Sequence, residues 1–455
     1  MMISMRQQLA VRRARLLLLA VPGFACSSNA GNLEMPPQTA GAHSGGGLGV
    51  AGLSGSLGIS GAAQAGAGGA LLAGSGGTTS LAGASGAPGG TAGNGGGLAG
   101  ADSQAGAAGA SLATYMIGAD ITSVQAAEAR GATYSDGMQR DILTLMKSHG
   151  FNYIRLRTFV DPKAADGYDK QSGFADLAHT ITFGKRIKAA GMGFLLDFHY
   201  SDNWADPGKQ CVPVAWQSFT TIDQLATAVH DYTKDAISQL IAGGARPDMV
   251  QIGNEITPGM LIHRCDADGL PTGDNPVSGS ISNWTNLGTL LKAGVKGVKD
   301  VDPGIKIMLH IDRGGDKGGF TGGALSVSMS FISNAQKQGV VFDVFGESCY
   351  QAYQGDPASA ANTKTDWANT FAGLATKFPM LEFVAAEYGP LQREINDVVF
   401  DLPDNRGIGT FNWEPTQMGD WNTGHALFSA MGNAHSAGPD LAVYDMMKKD
   451  YAGRL

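Results

Sequence analysis

MVQIGNE, residues 249–255, decides how this chain is read. Four residues of strand character, Met249 to Ile252, run into a glycine, an amide and a carboxylate. A buried strand ordinarily stops at turn residues, so an ionisable group in that place needs a partner or a task. Similar apolar, β-rich runs occur at 115–120, 153–157, 193–199, 305–310, 342–348, 381–387 and 407–413, with helix-period segments between them. Ser135 and Asp136 predict the start of a helix over 138–149, with Ile142, Leu145 and Met146 on one face and Gly150 closing it. Thr221 and Asp223 predict the start of another over 225–241, ended by Gly243 and Gly244. Eight alternating units predict an α/β fold, a (β/α)8 TIM barrel. The alternative, an open doubly wound sheet, lacks a glycine-rich phosphate turn after its first strand.

The barrel is expected over residues 113–455. Before it, Arg6, Arg12, Arg13 and Arg15 precede the apolar run 16–21 and then Pro22-Gly23-Phe24-Ala25-Cys26. A basic region, a short apolar region and small residues before a cysteine predict a signal peptide over 1–26, too short to span a membrane as a mature helix. Its ending resembles a bacterial lipoprotein signal, which implies a lipidated Cys26 and membrane attachment through it. Residues 27–112 are mostly Gly, Ala and Ser. Too few large apolar side chains stand there to offset the entropy of ordering the backbone, so a disordered linker is expected. Twenty-seven of the chain's 67 glycines fall in these 86 residues, a far higher density than in the barrel region. The expected location is secreted or cell-surface, as an outer-membrane lipoprotein of a Gram-negative bacterium.

Thirty-two basic and 40 acidic residues give a formal charge of −8, and no Lys/Arg cluster follows the leader. Nucleic acid is therefore an unexpected partner. Cys211 and Cys265 lie in polar, loop-like stretches, whereas Cys349 ends an apolar run. In an oxidising compartment this favours a Cys211–Cys265 disulfide.

Catalytic groups in a (β/α)8 barrel sit at the C-terminal ends of its strands. Here those ends carry Asp120, Arg155 and Arg157, His199, Asn254 with Glu255, His310, Ser348 with Tyr350, Glu387, and Trp413 with Glu414. Glu255 closes the fourth run and Glu387 the seventh, which face each other across the barrel mouth. Two carboxyl groups ~5–5.5 Å apart are the tools of a retaining glycoside hydrolase, one as acid/base and one as nucleophile. Any single Glu is more often a solvated surface residue, but these two follow buried runs. Of their competitors, Glu347 falls on the outward alternation, Glu382 lies at the wrong end of its strand, and Glu414 suits a supporting place. No strand end carries the lysine of an aldolase, and His199 lacks the paired histidine of a metal-dependent hydrolase. No cofactor and no metal are expected.

DFHYSDNWADPGKQ (197–210), VQIGNEI (250–256) and FNWEP (411–415) together resemble glycoside hydrolase family 53, the arabinogalactan endo-β-1,4-galactanases. Ile154-Arg155-Leu156-Arg157, Val160-Asp161-Pro162, Ile307-Met308-Leu309-His310 and Ala386-Glu387-Tyr388 extend the resemblance over nearly the whole folded part. It implies a (β/α)8 barrel and retaining hydrolysis of β-1,4-galactan in plant cell-wall pectin, with Glu255 as acid/base and Glu387 as nucleophile. Asn254 would bond the hydroxyl beside the anomeric carbon, Arg155 or Arg157 would keep Glu387 ionised, and Tyr350 would bond the nucleophile. His199 and His310 would orient the cleft, while Asp202, Trp204 and Trp413 would form the sugar-binding floor. Trp216 and Trp284 read as core.

Two departures stand out. Ser348-Cys349-Tyr350-Gln351-Ala352-Tyr353 replaces a more aromatic family pattern, which points to altered subsites near the sixth strand. The connection between Glu387 and Trp413 is short beside members that hold calcium there, and Asp401 and Asp404 make no ligand series. A monomer acting on polysaccharide is expected. The rivals are the same chemistry on mannan or xylan, and a non-catalytic surface glycan-binding lipoprotein.

Overall fold

A computed structural model describes residues 114–312, 323–351, 360–416 and 426–455. Its centre is a closed barrel of eight strands: β1 Met116–Asp120, β2 Tyr153–Thr158, β3 Gly193–Phe198, β4 Met249–Ile252, β5 Lys306–Ile311, β6 Val344–Cys349, β7 Glu382–Tyr388 and β8 Gly407–Trp413. Each strand pairs in parallel with its neighbours in chain order, and β8 closes on β1. The principal helices are α1 Ile142–Ser148, α2 Leu177–Ala189, α3 Ile222–Ala242, α4 Trp284–Lys299, α5 Gly323–Lys337, α6 Ala360–Lys377, α7 Gln392–Phe400 and α8 Leu441–Asp450. The (β/α)8 architecture expected from the sequence is the one present. The signal peptide, Cys26 and the linker lie outside the described residues.

Strand alternation sorts side chains into two apolar bodies. Met116, Leu195, Met249, Met308 and Val384 form one small cluster, the barrel's inner floor. Their chain neighbours Ile117, Leu196, Val250, Ile307 and Phe383 belong instead to the large cluster shared with the helices, through Phe183, Leu240, Leu291 and Trp367. Each such fully buried side chain contributes about 1.5–3 kcal/mol. Trp216 and Trp284 pack with this outer body, as core residues should.

Helix starts follow local chemistry. Thr221 caps α3 through a reciprocal box with Gln224. The helix expected over 138–149 is shorter, because Asp141, not Ser135 or Asp136, is its cap. The Asp141 carboxylate accepts the Thr144 amide at 3.0 Å. Thr133–Ser135 and Gln139–Arg140 instead join a four-stranded sheet with Phe428–Met431 and Ala434–Ala437.

β4 is also shorter than the strand expected over 249–255. It stops at Ile252, and Gly253 takes φ +81°, where a Cβ would stand 2.6 Å from Ile256 Cγ2. Glu255 follows with φ +45°, a left-handed backbone uncommon for a carboxylate residue. The chain thus bends Glu255 out of the strand line and into the barrel mouth.

Candidate active site

Above the apolar floor, the inward positions of the strands turn polar. Arg155 on β2 is 1% exposed, and each of its five N–H groups meets an acceptor. Nη1 donates to Asp120 Oδ2 and to Glu387 Oε1, both at 2.9 Å. Nη2 donates to Asp197 Oδ2 at 2.8 Å and to Asn254 Oδ1 at 2.7 Å, and Nε to Gln251 Oε1 at 3.2 Å. One guanidinium therefore ties together β1, β3, β4 and β7. Arg157, two residues on, donates to Glu414 Oε1 at 2.6 Å and lies over the Trp204 ring, 4.2 Å from its centroid. Of the two arginines considered for Glu387, Arg155 is the one that reaches it. Glu414 serves Arg157 and Ser123.

Glu387 accepts from Arg155 on Oε1 and from the Tyr350 hydroxyl on Oε2, the latter at 3.1 Å. Burial pushes its carboxyl up to about 7 against the pull of Arg155. Glu255 accepts from the Ser348 hydroxyl at 2.6 Å. Burial, then the nearby carboxylates of Glu387 and Asp312, push Glu255 well above the usual range. A charged donor bonds one carboxylate and a neutral hydroxyl the other. Glu387 therefore ionises first and Glu255 holds the proton.

Asn254 is oriented from both ends. Its Oδ1 accepts from Arg155 and from Gln251 Nε2 at 3.1 Å, and its Nδ2 donates to Ala205 O at 2.9 Å. His310 on β5 contacts Asn254 Oδ1 at 3.0 Å and Gln251 Nε2 at 3.1 Å through Nδ1, and Ser348 Oγ at 2.9 Å through Nε2. Burial and the charge of Arg155 hold its pKa well down, so the ring is neutral. His199 sits 3.1 Å from Asp197 and accepts the Ala205 amide at 2.9 Å, fixing the loop that carries Trp204 and Ala205.

Trp204, Ala205, Asp206, Asn254, Glu255, Tyr350, Glu387 and Trp413 line one cleft of about 380 Å³ that includes its open mouth. Trp204 and Trp413 meet at 6.2 Å between centroids, edge to face. Asp202 does not join this floor. It is 1% exposed, and its oxygens accept the amides of Asp161 at 2.9 Å and Val214 at 2.7 Å. Burial pushes its carboxyl up to about 7. Both oxygens are thus bonded to loop amides, and Asp202 is not among the residues that line the cleft. Asp206, four residues later, lines the cleft beside Glu255 and Glu387.

Asp197, Gln251, Gln210 and Asp206 were not singled out from sequence as site residues, and Asp120 and Ser348 were named there only as strand ends. Asp197 and Gln251 left a trace, as polar residues on the inward alternation of apolar strands. Gln210 left none: its Nε2 donates to Asn254 O at 2.8 Å only because its loop is held beside Ile262 and His263. A disulfide joins Cys211 to Cys265 across these loops, with Cα atoms 5.8 Å apart. Cys349 is a buried free thiol. Among the described residues, no group of three or more His, Cys, Asp or Glu is arranged to hold a metal. Ala352 and Tyr353 lie outside the described residues.

The family model of glycosyl hydrolase family 53 matches residues 116–388. The chain is 31% identical over 354 residues to an arabinogalactan endo-β-1,4-galactanase of Thermothelomyces thermophilus, covering 70% of this chain and 96% of that one. It is 33% identical over 260 residues to an endo-β-1,4-galactanase of Bacillus subtilis, covering 56% and 54%. Among solved structures, it resembles the family 53 catalytic domain of Ignisphaera aggregans at 29% identity and a TM-score of 0.60, covering 73% and 95%. A fungal β-1,4-galactanase structure matches at 27% identity and a TM-score of 0.59, covering 73% and 100%. On the strength of these matches and of the barrel that carries them, the chain is a member of glycosyl hydrolase family 53.

Proposed function

We propose that this protein hydrolyses internal β-1,4-galactosidic bonds of galactan and type I arabinogalactan in plant pectin, with retention, through two glutamates. The observation that carries the mechanism is that Glu255 and Glu387 line one cleft while, of these two, Glu387 alone accepts from Arg155. Glu387, ionised by Arg155 and steadied by Tyr350, attacks the anomeric carbon. Glu255 delivers its proton to the departing glycosidic oxygen, and a glycosyl ester forms on Glu387. Ester formation removes the negative charge that had helped to raise Glu255. Its affinity for protons then falls, which suits it to draw a proton from water in the second step. Water opens the ester, and the configuration is retained.

Asn254 supports this cycle. One N–H of its amide is committed to Ala205 O, and the residue lines the cleft. The second N–H suits the sugar hydroxyl beside the anomeric carbon, a contact that strengthens as positive charge develops in the ring. The faces of Trp204 and Trp413 suit the apolar C–H face of galactose. Galactan as substrate is supported by the names of the relatives reported above. Secretion and lipid attachment at Cys26 are supported by the basic, apolar and small-residue order of residues 1–26. Reducing-sugar release from unbranched β-1,4-galactan, with mannan and xylan alongside, tests the reading. Release from galactan that falls in Glu255→Gln is expected. Release from mannan or xylan alone would overturn the substrate, and no release from any of them would favour a glycan-binding barrel.

A further inference from the structure

We infer that Ser348 and His310 act as positioning residues that choose which oxygen of Glu255 carries the transferable proton. The inference rests on the acid/base role proposed for Glu255. Ser348 on β6 is fully buried, and its hydroxyl lies between two partners, Glu255 Oε1 at 2.6 Å and His310 Nε2 at 2.9 Å. It has one proton to give. A neutral imidazole has one N–H, on either nitrogen. With that proton on Nε2, His310 donates to Ser348 and Ser348 donates to Oε1, so every contact along the line pairs a donor with an acceptor. Nδ1 then accepts, with two donors beside it, Gln251 Nε2 at 3.1 Å and the Glu255 amide at 3.5 Å. Asn254 Oδ1, an acceptor 3.0 Å from Nδ1, is the one neighbour this tautomer does not bond, and Arg155 and Gln251 donate to that oxygen instead.

The consequence is directional. Oε1 is taken by a hydrogen bond, so the proton for catalysis sits on Oε2 and is presented to the cleft that Glu255 lines. The same bond persists when Glu255 becomes a carboxylate, and there it favours the charged form. Ser348 thus works against the groups that raise Glu255: burial and the carboxylates of Glu387, Asp312 and Asp206. The charged groups facing His310 are Arg155 and Asp197, with His199 also near it. Arg155 disfavours an imidazolium that would leave Ser348 the same donor but add a competing charge.

The test uses the full chain, with Ser348→Ala and Ser348→Thr assayed on unbranched β-1,4-galactan across pH. Loss of a bond to a charged group corresponds to a fall of about tenfold or more in kcat/KM for Ser348→Ala. The basic limb of kcat/KM moves to higher pH in that variant, and Thr, which keeps the hydroxyl, restores it. In the wild-type protein, nitrogen-15 spectra of His310, assigned by comparison with His310→Gln, show a neutral ring with its proton on Nε2. An unmoved basic limb in Ser348→Ala, or the His310 proton on Nδ1, overturns the inference. A wild-type chain inactive on galactan would sink the proposed function instead, and the imidazole spectra would still decide the proton's place.

Discussion

Arg155 Nη1 donates to Glu387 Oε1 at 2.9 Å, and the same guanidinium reaches Asn254, the residue before Glu255, at 2.7 Å. One cation thus favours the charged form of Glu387, the proposed nucleophile, and orients the amide beside Glu255, the proposed acid. In the proposed mechanism the two glutamates take different roles because they differ in what bonds them, not in residue type.

Substituting Arg155 tests that relationship. Arg155→Gln removes the charge that opposes burial at Glu387, so the nucleophile's carboxyl rises further. The acid limb of kcat/KM then moves to higher pH, because more alkaline solution is needed to ionise Glu387. A fall of about 10²–10³ in kcat at neutral pH is expected, as for other lost electrostatic donors. The variant also strands buried Asp120 and Asp197, at a cost of about 3–5 kcal/mol, read as a fall in Tm. A pH–rate profile with an unmoved acid limb would separate Arg155 from the ionisation of Glu387.

Gly253→Ala strikes the bend that delivers Glu255. At φ +81°, with Ile256 Cγ2 at 2.6 Å from the new methyl, the turn cannot be kept unchanged. About 1–3 kcal/mol of stability is lost, and kcat falls more than KM rises because the acid is displaced. Thermal denaturation and initial rates on galactan read both effects.

Gln210→Ala withdraws the donor from Asn254 O and leaves that buried carbonyl unsatisfied. The expected outcome is a kcat lower by about tenfold, the equivalent of one hydrogen bond of ordinary worth. Replacing Cys211 and Cys265 by serine loosens the same loop from the far side and costs about 2–4 kcal/mol. Both changes leave Trp413 untouched, so KM should alter little. A KM effect larger than the kcat effect would contradict this placement.

Trp413→Ala gives the opposite split. Loss of a stacking face at the cleft costs about 1–3 kcal/mol of sugar binding, and KM for galactan rises about tenfold or more. Trp204→Ala also bares the guanidinium of Arg157, so its loss should appear in Tm as well as in KM.

Much of this was legible in the chain because barrels repeat one signal. Apolar runs alternating with capped helices give eight strands, and strand ends give Glu255, Glu387, Arg155 and Trp413. What the sequence withheld depends on backbone direction and loop contact. Asp202 reads from sequence as a sugar ligand because it follows β3 beside Trp204, and its bonds to the amides of Asp161 and Val214 were not legible there. No local pattern announces amides arriving from distant turns. Ser135 and Asp136 looked like a cap, but Asp141 sits one helix turn closer to Ile142 and Leu145 and wins. Glu255 looked like the last residue of a strand, whereas Gly253 had already bent the chain.

The most direct measurement is rescue of nucleophile and acid variants on a β-1,4-galacto-oligosaccharide with an activated aryl leaving group. Glu387→Gly should be inactive, and added azide should return an α-galactosyl azide. Glu255→Gly should keep the first step on this substrate, and azide should return the β-azide. Exchange of these two products would reverse the roles given to Glu255 and Glu387. Undiminished hydrolysis in either variant without azide would contradict the two-glutamate mechanism.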